Sequence, residues 1–398
     1  MMVDFLPFII FLMILAVFLR AESALTVIYM VVGTFLLGFW WNKRALRHVE
    51  VTRSYFERAY LGETVPVVLK IKNKSILPIL WLEIHEGLPV DLRSGKGFKQ
   101  VFSLGIREEK QIGYDLMPRK RGYYPLGPLL ISSGDPLGLM QPTQKEFPSS
   151  PLTVYPQIVN LTAFGLPSRS PFGTIKHKNP VFEDPSRILG KREFQIGDSL
   201  RRIDWKSSAA TGQLQVKLYE ASISLELAIL LDLHRDSYTL KTFYASTELA
   251  VTAAASVAAW GKTHRQSVGL ITNGTDPHNN DQVPPPLKPR TGAGHFIHIL
   301  EILARVQPGE SRPLESLLQD SLANLSWGAT LVLISGSLHE DMLIQLFNAR
   351  KRGINPAIIF TGQTPEYRSL KNLAGYYKIQ LHKAALPTDL KMMGVSRT

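Results

Sequence analysis

The chain has 398 residues, with 45 Lys and Arg against 33 Asp and Glu for a formal net charge of +12, and a length that predicts several units, each long enough for its own core. Cysteine is absent, which excludes a thiol nucleophile, a CxxC redox pair, cysteine-ligated zinc and a disulfide framework. The basic residues are scattered among carboxylates without an aromatic-basic recognition module, so the charge points to lipid and protein partners and away from nucleic acid.

Phe5 to Leu19 and Ala24 to Trp41 are apolar runs separated only by Arg20-Ala21-Glu22-Ser23. Each approaches the ~20 residues that a helix needs to cross a hydrocarbon core, and the short link predicts a transmembrane helical hairpin over residues 1–41. Phe39, Trp40 and Trp41 have the character of a headgroup belt, and Lys43, Arg44, Arg47 and His48 behind them place the following chain in the cytoplasm. A cleaved signal peptide fits less well, because Asp4 precedes the first run with no Lys or Arg and a second span follows at once.

Residues 42–150 change to a strand rhythm. Glu63 to Lys72 alternates, Asn73-Lys74-Ser75 is a turn, and Trp81–Ile84, Phe98–Leu104, Glu109–Leu116 and Tyr123–Ile131 recur at the spacing of an all-β Ig-like sandwich. Gly122, Gly127, Gly134 and Gly138 read as turn residues, while Arg119, Lys120 and Arg121 are either a solvated face or an anion-contacting patch. Residues 151–190, rich in Pro, Ser and Gly, read as an extended linker.

The most distinctive segment runs from Lys191-Arg192-Glu193-Phe194 through Gly197-Asp198 and Arg201-Arg202-Ile203-Asp204-Trp205-Lys206 to Glu220. Gly197 and Asp198 suit a tight turn, and Arg201 and Arg202 can form forked bonds to Asp204, Glu193 or Glu220. Two accounts stand side by side. In one, ion pairs and the Trp205 indole pin a rigid loop; in the other, Arg192, Gly197, Asp198, Arg201, Arg202, Asp204, Trp205 and Lys206 form a docking surface for another protein.

This run resembles the pattern of the bacterial domain-of-unknown-function family 58. The Arg-Gly-Tyr and Asp-Pro-Leu-Gly-Leu segments at Arg121 and Asp135, and the order of leading helices, β-domain and α/β domain, are similar to that family's layout. The resemblance implies a protein of the bacterial inner membrane, multi-pass, with cytoplasmic domains. It also implies a partner, a MoxR-type AAA+ ATPase, in maturation of membrane or envelope complexes.

Over residues 191–390 the apolar run Leu225–Leu231 closes on Asp232, and alternating helices and strands follow: Tyr238–Trp260, Ser267–Thr272, His295–Val306, Ala329–Ser335, Leu338–Lys351 and Pro356–Thr361. That rhythm predicts a doubly wound parallel sheet, and it resembles a von Willebrand A domain. In that fold the first strand delivers Asp-x-Ser-x-Ser to a divalent cation. Here the stretch reads Asp232-Leu233-His234-Arg235-Asp236, keeping only the leading Asp, and a later strand ends Ser335-Gly336-Ser337 where Asp-Gly is common.

Asp232, His234 and Asp236 are nevertheless the candidate ligands for a transition metal. Gly261-Lys262-Thr263 imitates the end of a P-loop but follows a helix, and Thr291-Gly292-Ala293-Gly294 is either a loop or an anion-binding helix start. No GxSxG, HExxH or GxGxxG is present, so no catalytic residue or cofactor is expected. The expectation is a membrane-anchored, non-enzymatic scaffold or adaptor, with a metal-dependent ligand-binding domain and an unrecognised hydrolase as alternatives. Residues 391–398 are a tail.

Overall fold

The computed structural model describes residues 10, 11, 14, 22–93, 95, 97–135, 138, 140–161, 183–195, 198–221 and 226–392, the backbone alone at 22–25, 181–189, 201 and 219–221 where these fall within them. It divides into two compact units, Met1–Gln157 and Ile158–Thr398.

In the first unit, helix α1 (Glu22–Ala45) leads into β1 (Val49–Ser54), β2 (Arg58–Tyr60), β3 (Val65–Asn73), β4 (Ile79–Glu86), β5 (Lys99–Leu104), β6 (Glu109–Leu116), β7 (Gly122–Leu126), β8 (Leu129–Ser133), β9 (Thr143–Phe147) and β10 (Ser150–Tyr155). The expected transmembrane hairpin is not supported: among the described residues no helix is long and apolar enough to cross a membrane. Most of the first apolar run lies outside the described residues. The second does not stop at Trp41. Its helix continues through Asn42, Lys43, Arg44 and Ala45, and this last turn docks on the β-domain. Asn42 Nδ2 donates to the Gln141 carbonyl at 2.8 Å, the Thr143 hydroxyl lies 2.9 Å from Asn42 Oδ1, and Ala45 is buried.

The β-strands make three small sheets, β1-β3-β6, β2-β10-β7 and β5-β4-β8-β9, instead of the two faces of an Ig-like sandwich. Alternation on β3 sends Val65, Val67, Leu69 and Ile71 inward to a core shared with Leu82 and Ile84 of β4, Leu116 of β6 and Ile131 of β8. β10 pairs with both β2 and β7, so the chain expected as linker from residue 151 is here part of a sheet.

The second unit opens with a hairpin, β11 (Glu183–Glu193) and β12 (Gln215–Ala221), joined across α2 (Trp205–Thr211). Then come β13 (Glu226–Leu231), α3 (Phe243–Thr263), β14 (Ser267–Thr272), β15 (Leu287–Arg290), α4 (Ala293–Arg305), α5 (Leu314–Asn324), β16 (Thr330–Ser335), α6 (Glu340–Lys351), β17 (Asn355–Phe360), α7 (Tyr367–Tyr376), β18 (Gln380–Lys383) and α8 (Pro387–Lys391). The six-stranded sheet has the order β15-β14-β13-β16-β17-β18, parallel throughout except for the antiparallel edge strand β15.

Helices cover both faces, which is why the strands read as unbroken apolar runs. Ala228 and Leu230 of β13, Leu331 and Leu333 of β16 and Ile358 and Phe360 of β17 face α5, α6 and α7. α3 packs on the other face so closely that a Cβ on Gly261 would meet Leu227 and Val268 at 2.8 and 2.6 Å. The sequence order changes direction between β13 and β16, and the carboxyl ends of those two strands carry Asp232 and Ser335.

Candidate functional site

The hairpin is built from its register outward. Lys191, Arg192 and Glu193 oppose Lys217, Val216 and Gln215. The intervening chain returns through a 3-10 turn, Leu200–Arg202, and a bridge between Ile203 and Val216. Asp204 caps α2: its Oδ1 accepts from the Ser207 amide at 3.2 Å, and Gly212 ends the helix at φ 73°, a left-handed position that favours glycine. Ser208, buried behind Asp204, donates its hydroxyl to the Asp204 carbonyl at 2.8 Å and accepts from the Gln215 amide at 2.9 Å.

Two ion pairs tie the loop. Arg192 forks onto Asp198 with Nη1–Oδ2 at 2.7 Å and Nη2–Oδ1 at 2.6 Å, while the Gln195 amide donates to Asp198 Oδ2 at 2.9 Å. Lys191 Nζ lies 2.8 Å from Asp204 Oδ2 and also donates to the Ser207 hydroxyl. The Arg192 hydrogen bond, then the Gln195 amide, hold the Asp198 carboxyl below its ordinary range. The Lys191 hydrogen bond, then the Ser207 amide, push Asp204 down to about 2.

Of the expected docking residues, Arg192, Asp198 and Asp204 are thus engaged inside the loop. Lys191, absent from the expected set, is the second tie; its place on β11, beside Arg192 and across from β12, becomes visible only once that strand is known. Gly197 lies outside the described residues, and of Arg201 only the backbone is described. Arg202 is exposed and its charge helps to lower Asp198. Trp205 does not pin the loop. It is 68 % exposed at the first position of α2, with Lys206 exposed beside it, and the same hairpin exposes Leu200, Leu214 and Leu218.

At the carboxyl edge of the sheet Asp232 is fully buried. Its Oδ1 accepts from the His234 amide at 3.0 Å and from Asn273 Nδ2 at 2.9 Å, and its Oδ2 accepts from the Ser335 hydroxyl at 2.7 Å. Asn273 in turn accepts the Leu233 amide at 2.6 Å and donates to the Arg312 carbonyl at 3.0 Å. The Tyr238 hydroxyl donates to the Asp232 carbonyl at 2.6 Å. Burial, and next the Asp232 charge, raise the Tyr238 phenol well above its ordinary value. α3 starts at Phe243 and not at the expected Tyr238, whose backbone is extended at φ −127° and ψ 138°.

The three candidate metal ligands do not converge. Asp232 is enclosed, whereas the Asp236 side chain is 90 % exposed and the His234 ring nitrogen Nδ1 accepts from the Asp236 amide at 3.3 Å. Among the described residues no group of three or more His, Cys, Asp or Glu is placed to hold a metal ion. The edge ties β13, β16 and the loop after β14 together and leaves neither carboxylate oxygen of Asp232 without a donor.

Over 291 residues the chain is 25% identical to the uncharacterized protein YeaD of Bacillus subtilis strain 168, covering 71% of this chain and 69% of that protein. Among solved structures, the CARDB domain of a Pyrococcus furiosus protein in complex with di-metal ions is 14% identical, covers 27% of this chain and 91% of its own, and superposes with a TM-score of 0.21. The complex of zinc 2-glycoprotein and prolactin inducible protein from human seminal plasma is 10% identical, with 26% and 92% covered and a TM-score of 0.21. Residues 190–358, from the end of β11 through the hairpin and the Asp232 edge into β17, match the family described as "Protein of unknown function DUF58".

Proposed function

We propose that this chain is a non-enzymatic docking adaptor whose contact element is the β11–β12 hairpin. The observation that carries the reading is Trp205, 68 % exposed on a loop whose own carboxylates are already held by Arg192 and Lys191. A large amphipathic side chain presented on a pre-organised base loses little freedom on binding, which is how interface hot spots are built. The exposed Arg202 and Lys206 favour a partner surface of acidic character. The family resemblance supplies a partner class, a MoxR-type AAA+ ATPase.

We read the α/β unit as von Willebrand A-like on its strand order, its single antiparallel edge strand and the Asp at the end of its first strand. In that fold, docking commonly runs through a cation at this edge. With Asp232 enclosed by Asn273 and Ser335, contact through the hairpin takes its place.

The test is a binding titration between the purified chain and the MoxR-type ATPase of the same genome, with Trp205→Ala and Arg202→Glu/Lys206→Glu as variants. Loss of a central Trp should weaken binding by about 30-fold or more, corresponding to the ~2 kcal/mol of a hot spot. Leu240→Ala, an exposed apolar change outside the hairpin, should bind as the parent does. Equal affinity of parent and Trp205→Ala sinks the hairpin reading, and absence of binding by the parent sinks the ATPase as partner.

A further inference from the structure

At the opposite edge of the same sheet, where β14 begins, a cleft of about 450 Å³ opens between the end of α3, the end of β15 and the start of α4. Its lining includes Lys262, Arg265, Gln266, Arg290, His295 and Phe296, and no carboxylate. We propose that this cleft binds a phosphate monoester carried on a small aromatic or aliphatic group. This inference is independent of the hairpin.

The N-terminus of α4 supplies the first component. Its cap residue is Gly292, at φ 114° with no side-chain cap, and the first turn holds no acidic residue. The amides of Ala293, Gly294 and His295 therefore have no intrahelical acceptor and carry the positive end of a 13-residue helix dipole. Three cations supply the second. Lys262, Arg265 and Arg290 form no ion pair among the described residues; Lys262 lies 4.6 Å from the Phe296 ring centroid. An arginine fork matches phosphate geometry as it matches carboxylate.

Gln266 is the observation that turns this basic cleft into a ligand site. It is 8 % exposed, it lines the cleft, and its side-chain amide makes no hydrogen bond among the described residues. The residue is enclosed except toward the cleft, so its unpaired amide is left open to a cationic cradle and marks a place for a ligand oxygen. His295 is fixed in place, its Nε2–H donating to the Val268 carbonyl at 2.7 Å. Below these groups Val268, Phe296 and Ile299 form an apolar floor, which accepts the organic part of an ester and does nothing for a bare ion. The volume falls within the ~300–1,000 Å³ typical of small-molecule sites.

Calorimetric titration of the purified full chain with phenyl phosphate, inorganic phosphate and phenol tests the assignment. Phenyl phosphate should bind with a Kd of about 1 mM or tighter, inorganic phosphate several-fold more weakly, and phenol not measurably. Arg265→Glu/Arg290→Glu, both positions exposed and expected to melt with the parent, should weaken phenyl phosphate at least about 10-fold. Gln266→Leu, checked for folding by circular dichroism, should weaken it about 3- to 10-fold. No heat from phenyl phosphate up to about 10 mM overturns the site. Unchanged affinity in the double arginine variant overturns the cradle, and phenol binding as tightly as its phosphate overturns the ligand class.

Discussion

Arg192–Asp198 and Arg53–Glu86 are the same chemical pair placed in two surroundings. In the hairpin the two side chains retain 37 % and 17 % of their exposure, and the arginine's hydrogen bonds hold the carboxyl below its ordinary range. In the β-domain Arg53 of β1 and Glu86 of β4 retain 8 % and 0 %, and burial raises Glu86 although the arginine opposes it. Tyr114 of β6, close by, is raised as well, first by burial and then by the Glu86 charge. The contrast separates two uses of an ion pair. At the surface, where desolvation is slight, the pair sets the shape of a loop; inside, desolvation outweighs attraction, and the pair is costly to disturb without being a large net source of stability.

Breaking the buried member should have the largest effect. Arg53→Ala leaves Glu86 enclosed without a cation and should destabilise the β-domain by about 3–5 kcal/mol, read as loss of amide protection in β1 and β4; Arg53→Met with Glu86→Leu should restore most of it. Asp232→Ala, which removes the common acceptor at the carboxyl edge, should cost the α/β unit about 2–3 kcal/mol in urea unfolding by stranding the Ser335 hydroxyl and the His234 amide. If it costs less than about 0.5 kcal/mol, the edge is not the structural tie described.

The buried Arg53–Glu86 pair and the hairpin's Lys191–Asp204 pair should also slope in opposite directions with pH. Glu86 has a folded value above the ordinary 4.5, so its contribution is fully present below 4.5 and is lost as pH rises through the raised value. Asp204 has a folded value of about 2 against 3.8, so its contribution is present above 3.8 and is lost as pH falls toward 2. Amide protection at Ser207, which donates to Asp204, measured against the intrinsic exchange rate at each pH, should therefore fall on acidification toward pH 2, while protection in β4 should rise over the first part of the same descent. The smallest effect belongs to Trp205→Ala, which should shift stability by less than about 0.5 kcal/mol because the indole is exposed.

The strands of the α/β sheet were legible because fully covered parallel strands are written as short apolar runs, as in Leu227–Leu231 and Leu331–Ile334. Its edge was not: β15 is four residues long and contains Pro289, which an edge strand tolerates and a pattern search discards. β11 was hidden in the same way, since Pro185 and the register shifts near Ile188 break its alternation and make it read as linker. Apolar density before Trp41 reads as a membrane span that ends there, because local composition carries no record of the helix running on to Ala45 and of Asn42 meeting Gln141 and Thr143, 99 and 101 residues away. Asp198 and Asp204 were visible as turn-forming acids; that Lys191 and Arg192 hold them required the hairpin's register.

The enclosure of Asp232 also has a bearing on how such a domain can change over time. Doubly wound sheets tend to bind ligands where the strand order reverses, and here that crevice is filled by the protein's own Asn273 and Ser335. Replacing Ser335 by Ala would release Oδ2 while leaving the backbone pairing of β16 as it is, and replacing Asn273 would thin the donors on Oδ1. A closed architectural edge and an open acceptor are therefore separated by side chains alone, which gives one backbone a short mutational path between them.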